Sequence, residues 1–373
     1  MGSSSRRNAV ILNSRQNLRP VGSDAWIQNS LNAVRDAVKN RYILLTSIGS
    51  LPWEIILYLA SVYSAEQKIY LPLGKGQNRE LTQAHYSQQF NLRDKPISWT
   101  FVDYDPSAES RNTAYLRRDE MITANADVVY PVSVRPDGNL DNHLQSARDR
   151  GAEIMAHWKI PYLPVSRPCR LEIEPAIIAP EAERLLGDHI IHWTRTPGSA
   201  WPGETLFSYY RAIAQSKEYY ARNTLSTLIR ILGERKLRAS RRHYRQSVPA
   251  VAFSGLSPVR AATLMKWRAR YREMSFEPYG LALRKEVAEK RGVRRVLYGN
   301  PEMYNYLDEN DKPYFQSLGT IGNWQPEQEF RHIGDLRLDR LPIDSLAVIV
   351  WKEHEKSALQ GVFDGRIISL YQE

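Results

Sequence analysis

The sequence has one cysteine, Cys169, among 373 residues. A single thiol excludes an internal disulfide and any thiolate-based zinc site made by one chain, and it predicts a reducing, cytoplasmic compartment. No stretch approaches roughly 18 uncharged apolar residues, and the start, Met1-Gly2-Ser3-Ser4-Ser5-Arg6-Arg7, has no apolar run. Neither membrane insertion nor secretion is expected. Several motifs are missing: a Gly-x-x-x-x-Gly-Lys-Ser/Thr phosphate loop, His-Glu-x-x-His, His-x-Glu with paired cysteines, and a Gly-x-Ser-x-Gly elbow. Histidines and carboxylates do not cluster at metal-ligand spacings, so the expected chemistry needs no metal.

At this length the chain exceeds the roughly 250 to 300 residues that one core fills, and its hydrophobic fraction of 42% suffices for two. Between residues 8 and 160, short apolar runs alternate with amphipathic stretches. Strands are predicted at Val10, Tyr42, Lys68, Ser98 and Asp127, with helices over 24–39, 53–62, 79–89, 114–125 and 140–150. Such alternation means parallel βαβ units and a Rossmann-like α/β sheet. Ligands bind such sheets beyond the carboxyl ends of the strands, where helix N-termini favour anions. Two turns are candidates: Ser47, Gly49 and Ser50 after the second strand, and Arg15 after the first. Each equally fits an ordinary cap or a solvent loop.

The stretch from Leu116 to Leu140 resembles the DNA-processing protein A and lysine-decarboxylase-like ("SLOG") Rossmannoid superfamily. It supplies Arg118, Asp119, Ile122, Ala126-Asp127, an apolar strand, Gly138, Ala147 and Gly151. The resemblance covers about residues 8 to 160. It implies a pocket for a nucleotide, a nucleotide-derived signal or single-stranded DNA. The family's Gly-Gly phosphate turn is only Ser47-Ile48-Gly49-Ser50 here, which argues against nucleotide hydrolysis in this half.

Residues 161–188 carry Pro161, Pro164, Pro168, Pro175 and Pro180, and read as a linker to a second domain over 189–373. There His192-Trp193-Thr194, Lys236-Leu237-Arg238-Ala239-Ser240, Val251-Ala252-Phe253-Ser254, Phe276 to Gly280, and Glu327-Gln328-Glu329-Phe330-Arg331 follow in order. That order resembles the α+β fold of ADP-ribosyltransferases, and more closely the DNA-targeting members and a group of abortive-infection proteins. The resemblance implies NAD as the small-molecule partner, Glu329 as the key acid, His192 on a ribose and Tyr279 on the nicotinamide ring. It also puts Thr194, Arg195 and Ser240 around the ligand. A carboxylate suits this chemistry, because breaking a ribose–nicotinamide bond passes through an oxocarbenium-like state. The same residues also fit a structural ion pair, a strand histidine and a core aromatic.

Charge is concentrated in this half. From Arg230 to Arg295, 18 Lys and Arg face 5 Asp and Glu, an excess of +13 against +10 for the chain. Arg235, Lys236, Arg238, Arg241 and Arg242 surround one turn, and Lys266, Trp267, Arg268, Arg270 and Arg272 interleave cations with aromatics. That mixture suits phosphates and unpaired bases, so nucleic acid, in particular DNA, is the expected partner. The combined expectation is a DNA-acting enzyme of a bacterial phage-defence or DNA-modification system. Two alternatives stay open: metal-free chemistry on a flipped base, such as a deazaguanine, and a non-catalytic nucleotide sensor that docks on nucleic acid.

Overall fold

The computed structural model of the chain describes residues 6–163, 171, 173–241, 248–269, 273–318 and 325–371. Two compact units emerge, one from Met1–Arg167 with Gly198–Ala221, the other from Pro168–Pro197 with Arg222–Glu373.

Unit 1 holds the expected Rossmann-like α/β sheet. Its strands are β1 (Asn8–Asn13), β2 (Ile43–Ser47), β3 (Gln67–Gly74), β4 (Ile97–Tyr104), β5 (Val128–Ser133) and β6 (Glu153–Ile154). They pair in parallel in the order β4-β3-β2-β1-β5-β6. The helices are α1 (Ala25–Lys39), α2 (Leu51–Val62), α3 (Arg79–Gln89), α4 (Arg111–Ala124) and α5 (Asn139–Asp149). β1 and β5 are apolar throughout because both faces are covered. Ile11, Val128 and Tyr130 join one core, and Val10, Leu12 and Val129 join the other. Helix α1 buries Trp26, Ile27, Ser30, Ala33, Val34 and Ala37, a helical stripe. Asp24 occupies its N-cap, and its carboxylate accepts from the Val21 N–H and not from the helix. The strand order reverses between β1 and β5, so their carboxyl ends form the switch point of the sheet. The register slips there, between Leu12 and Asn13.

Residues 198–221 return to unit 1. Their helix α7 (Leu206–Gln215), unforeseen in the sequence, buries Tyr209, Tyr210 and Ile213 in the same core as α1 and α2. Gly22 permits the approach, because a Cβ there would stand 2.2 Å from the Ala214 carbonyl oxygen.

Unit 2 is built on a seven-stranded sheet, β13-β16-β9-β7-β12-β18-β19. These strands are β7 (His189–Trp193), β9 (Ala250–Ser254), β12 (Gly280–Arg284), β13 (Arg294–Arg295), β16 (Glu329–Ile333), β18 (Leu346–Val350) and β19 (Arg366–Ser369). All neighbours are antiparallel except β18 and β19. Three ribbons pair apart from it: β8 (Lys236–Leu237) with β17 (Leu336–Arg337), β10 (Trp267–Arg268) with β11 (Glu273–Met274), and β14 (Leu297–Gly299) with β15 (Phe315–Ser317). Helix α8 (Thr224–Gly233) covers one face with Leu228 and Leu232, beside Ile190, Phe253, Leu281 and Phe330. The other face carries Ile191, Trp193, Ala282 and Ile349 under α6 (Pro180–Leu186) and α9 (Pro258–Ala262), and α10 (Lys285–Lys290) follows β12. The proline-rich stretch expected as a linker is therefore partly folded. Pro180 opens α6, where a missing N–H costs nothing, and Ile178, Ala182 and Leu186 enter the core.

Candidate functional site

In unit 1 the Ser47–Ser50 turn is already filled. The Gly49 N–H donates to Glu54 Oε1 at 2.8 Å, and the Ser47 hydroxyl donates to the Tyr70 carbonyl at 2.6 Å. Tyr210 of α7 donates to the other Glu54 oxygen. A carboxylate from the first turn of α2 thus sits where a phosphate was expected. The turn is braced by Arg118, which is 2% exposed and donates to the Ile48 carbonyl (3.0 Å) and to Asp119 (2.7 and 2.9 Å). Its guanidinium lies over the Trp53 and Tyr115 rings. The Arg-Asp motif therefore serves the shape of the turn. At the switch point, Arg15 and Arg135 are exposed, and a buried Asn13 Oδ1 has no hydrogen-bond partner.

Burial pushes the Glu54 carboxyl up, against the hydrogen bonds from Tyr210 and Gly49. The folded chain keeps this proton over a range where the unfolded chain, with glutamate near 4.5, has released it. Stability therefore falls as pH rises above that value until the raised one is passed. Glu54→Gln is expected to flatten this slope in denaturant unfolding as pH rises above about 4.5. Parallel slopes for the two proteins would count against a buried, proton-holding Glu54.

In unit 2 the strands that carry His192, Ser254 and Glu329 are neighbours, but the side chains divide between two faces. Ile191 pairs with Ser254 and Ser254 with Glu329, so these three share one face. His192 pairs with Leu281 and points to the other. Its Nδ1 lies 2.8 Å from the Ala252 carbonyl, its ring packs edge-on against Phe253, and burial holds its pKa down. His192 is a partly buried strand histidine, and strand alternation keeps it from joining Glu329. Tyr279 donates to Glu355 at 2.7 Å. Ser240 lies at an isolated bridge to Ala250, paired through backbone on both sides.

Glu329 is instead joined by Glu327, a residue that the motif reading quoted without a role. Between them Gln328 adopts φ +45°, an uncommon backbone for a non-glycine residue and one that persists only when its surroundings enforce it. Three contacts do so. The Ser254 hydroxyl donates to the Glu327 carbonyl (2.9 Å), the Gly255 N–H donates to the Gln328 carbonyl (2.9 Å), and the Glu329 N–H donates to the Tyr298 hydroxyl (3.2 Å). Arg331 grips both Glu329 oxygens, at 2.8 and 3.0 Å. Its remaining N–H groups reach the Pro313 and Phe315 carbonyls and the Gln316 side chain, so all five donors are used. Glu327 is pushed up by burial, with a further push from the charge of Glu329; Arg268, at 3.2 Å, and Arg195 oppose it. Arg195 also pairs with Glu273 at 3.2 Å. The corner thus holds two unlike carboxylates, one clamped by an arginine and one inclined to keep its proton. At the end of β7, the Trp193 indole nitrogen and the Thr194 hydroxyl are buried without a hydrogen-bond partner. Trp193 shares the Glu329 face.

Gly255 has no room for a side chain: a Cβ would lie 2.7 Å from the Phe330 ring and 3.2 Å from the Gln328 carbonyl. Gly255→Ala is expected to cost about 1–3 kcal/mol in unfolding experiments, as overpacking does. A cost near zero would mean that the corner is looser than these distances require.

No family model matches the sequence, and no curated protein matches it. Among solved structures the chain is similar to DNA processing protein A from Helicobacter pylori, described for its single-stranded DNA binding mode. Identity is 14%, over 40% of this chain and 63% of that one, with a TM-score of 0.29. DNA processing protein A from Streptococcus pneumoniae is similar at 8% identity, over 40% and 49%, with a TM-score of 0.30. The chain spans less than two thirds of either protein. The strand order given above, and not this likeness, establishes the Rossmann-like sheet.

The basic block is less bare than its sequence suggests. Arg230 and Arg238 share Glu234, Lys236 pairs with Asp335 at 3.1 Å, and Arg268 serves Glu327. Trp267 packs against the core of the Glu329 face. Arg235, Arg241 and Lys266 are exposed, while Arg242, Arg270 and Arg272 lie outside the described residues.

Proposed function

We propose that the chain acts on nucleic acid, with unit 2 transferring an ADP-ribosyl group from NAD to DNA at the Glu327–Glu329 corner. The observation that carries this reading is the pair of unlike carboxylates. Glu329 is clamped by Arg331 while burial raises Glu327, so the two acids suit different roles. Glu329, held by Arg331, stabilises positive charge as the bond between ribose and nicotinamide breaks and neutral nicotinamide leaves, and the Glu327 carboxylate takes the proton that the acceptor N–H or O–H loses as it bonds to the ribose carbon. The orphaned donors of Trp193 and Thr194 suit a polar ligand on this sheet, since buried polar groups are otherwise paired. His192 has no part in this reading. Exposed Arg235, Arg241 and Lys266 supply phosphate contacts in unit 2, and Arg15 and Arg135 do so in unit 1.

The test is to incubate the chain with single-stranded DNA and NAD labelled in its adenylate. Label on the DNA supports transfer. A change in base mass without NAD supports chemistry on a flipped base at the same corner, and neither product favours a nucleic-acid-binding sensor. Glu54, filling the phosphate seat of unit 1, favours a non-catalytic role for that unit.

A further inference from the structure

We infer that the cleft at the carboxyl ends of β3 and β4 is a subsite for a guanine nucleotide, with Asp103 reading the base and Lys75 meeting the phosphate. This inference rests on the reading of unit 1 as nucleic-acid-binding and adds a base preference to it. The cleft is open to solvent, offers about 470 Å³, and lies two strands away from the switch point. Its wall is the turn from Gly74 to Gln77, tied down at three places. The Lys75 N–H donates to the Tyr104 carbonyl at 2.8 Å, the Gln77 N–H to the Gly74 carbonyl at 3.0 Å, and the Gly74 N–H to the Gln77 side chain at 2.8 Å. Gly76, at φ +88°, has nothing within 4 Å of where a Cβ would stand.

Three cations line the space, each beside a carboxylate. Lys75 pairs with Asp105 at 3.3 Å, Arg79 with Asp103, and Arg117 with both oxygens of Glu109 at 3.0 and 3.1 Å. Arg117 also donates to the Asp103 backbone carbonyl. The balance of signs narrows the ligand. A polyanion gains little from a neutral cluster, and an apolar ligand would desolvate six charges. A ligand with one phosphate and a pair of adjacent N–H donors leaves every charge satisfied. The phosphate takes the cations, and the donors take the carboxylate that the cations release. The exchange is cheap, because the Lys75 and Arg79 pairs are exposed and such pairs contribute little. Among the bases only guanine presents two parallel N–H donors on one edge, which match the two oxygens of a carboxylate. Thymine sets carbonyls beside its single N–H, and adenine and cytosine set a ring acceptor beside their amino groups. Such a guanine belongs either to a free mononucleotide or to an unpaired residue in a DNA strand.

Fluorescence anisotropy of the full chain with a labelled dT12 strand, and with the same strand carrying one central dG, tests the inference. Calorimetry with GMP and AMP forms the second arm. The dG strand or GMP is expected to bind about tenfold tighter than its counterpart, as one good bidentate base contact provides. Asp103→Asn should remove that preference without weakening dT12, and Lys75→Gln should weaken both strands. A preference confined to GMP points to a free nucleotide, and one confined to the strand points to DNA. Equal binding of the two strands and of the two nucleotides overturns the inference and leaves the nucleic-acid reading of unit 1 intact, as does a preference that survives Asp103→Asn. Binding of no strand and no nucleotide overturns both.

Discussion

Glu329→Gln is expected to lower transfer of ADP-ribose by about 10²–10³-fold, the effect of deleting one preorganised electrostatic partner of a developing charge. The substitution keeps the side-chain shape and removes the charge that Arg331 orients. Arg331 is itself buried, so stability has to be followed alongside, and a melting curve of each variant separates unfolding from lost chemistry. Glu327→Gln removes the proton-exchanging group and should lower the rate by about 10²–10⁴-fold. Its diagnostic is the pH profile. Glu327 is raised above the ordinary glutamate value by burial and by the charge of Glu329. Its ionised form takes the acceptor's proton, so activity rises as pH rises through the raised value, and that limb disappears in Glu327→Gln. A folded Glu329→Gln variant with wild-type transfer would remove the corner from the chemistry.

The second large effect concerns stability. Arg118→Met is expected to destabilise unit 1 by about 3 kcal/mol, because largely buried Asp119 loses its cation and keeps only the Trp53 indole N–H. The Ile48 carbonyl and the space between Trp53 and Tyr115 lose their occupant as well. For a unit of this size that loss lowers the melting temperature by roughly 10 °C. Arg118→Lys keeps the charge but not the fork that holds Asp119 and Ile48 together, so an intermediate loss is expected. Calorimetry checks both. A fall of only a degree or two in Arg118→Met would show that the Ser47–Ser50 turn holds itself.

How far the sequence could be read follows from which interactions are local. Strands β1 and β5 and the helices between them declare themselves through unbroken apolar runs and helical stripes, so the Rossmann-like sheet of unit 1 was legible. Helix α7 was not, since its burial is decided by contacts with residues more than a hundred positions earlier, such as Tyr210 with Glu54. The Ser47–Ser50 turn had the composition of an anion site, yet the carboxylate that fills it lies on the helix that follows. In unit 2 the strands β7, β9, β12 and β18 were legible as apolar runs. Their register was not: the pairing of Ile191 with Ser254 and of Ser254 with Glu329 sets His192 on the far face. Glu327 lay in view within the motif, but only burial beside Glu329 gives it a role. The basic block misled for a similar reason, because Asp335 and Glu327, which neutralise Lys236 and Arg268, are distant in sequence.

The most direct measurement is the single-turnover rate of label transfer from NAD to single-stranded DNA, against pH, in the wild type and in Glu327→Gln. The account predicts a wild-type rate that rises with pH above the ordinary glutamate range as Glu327 ionises, and a slow, flat profile in the variant. Equal rates with the same pH profile in both proteins would contradict it.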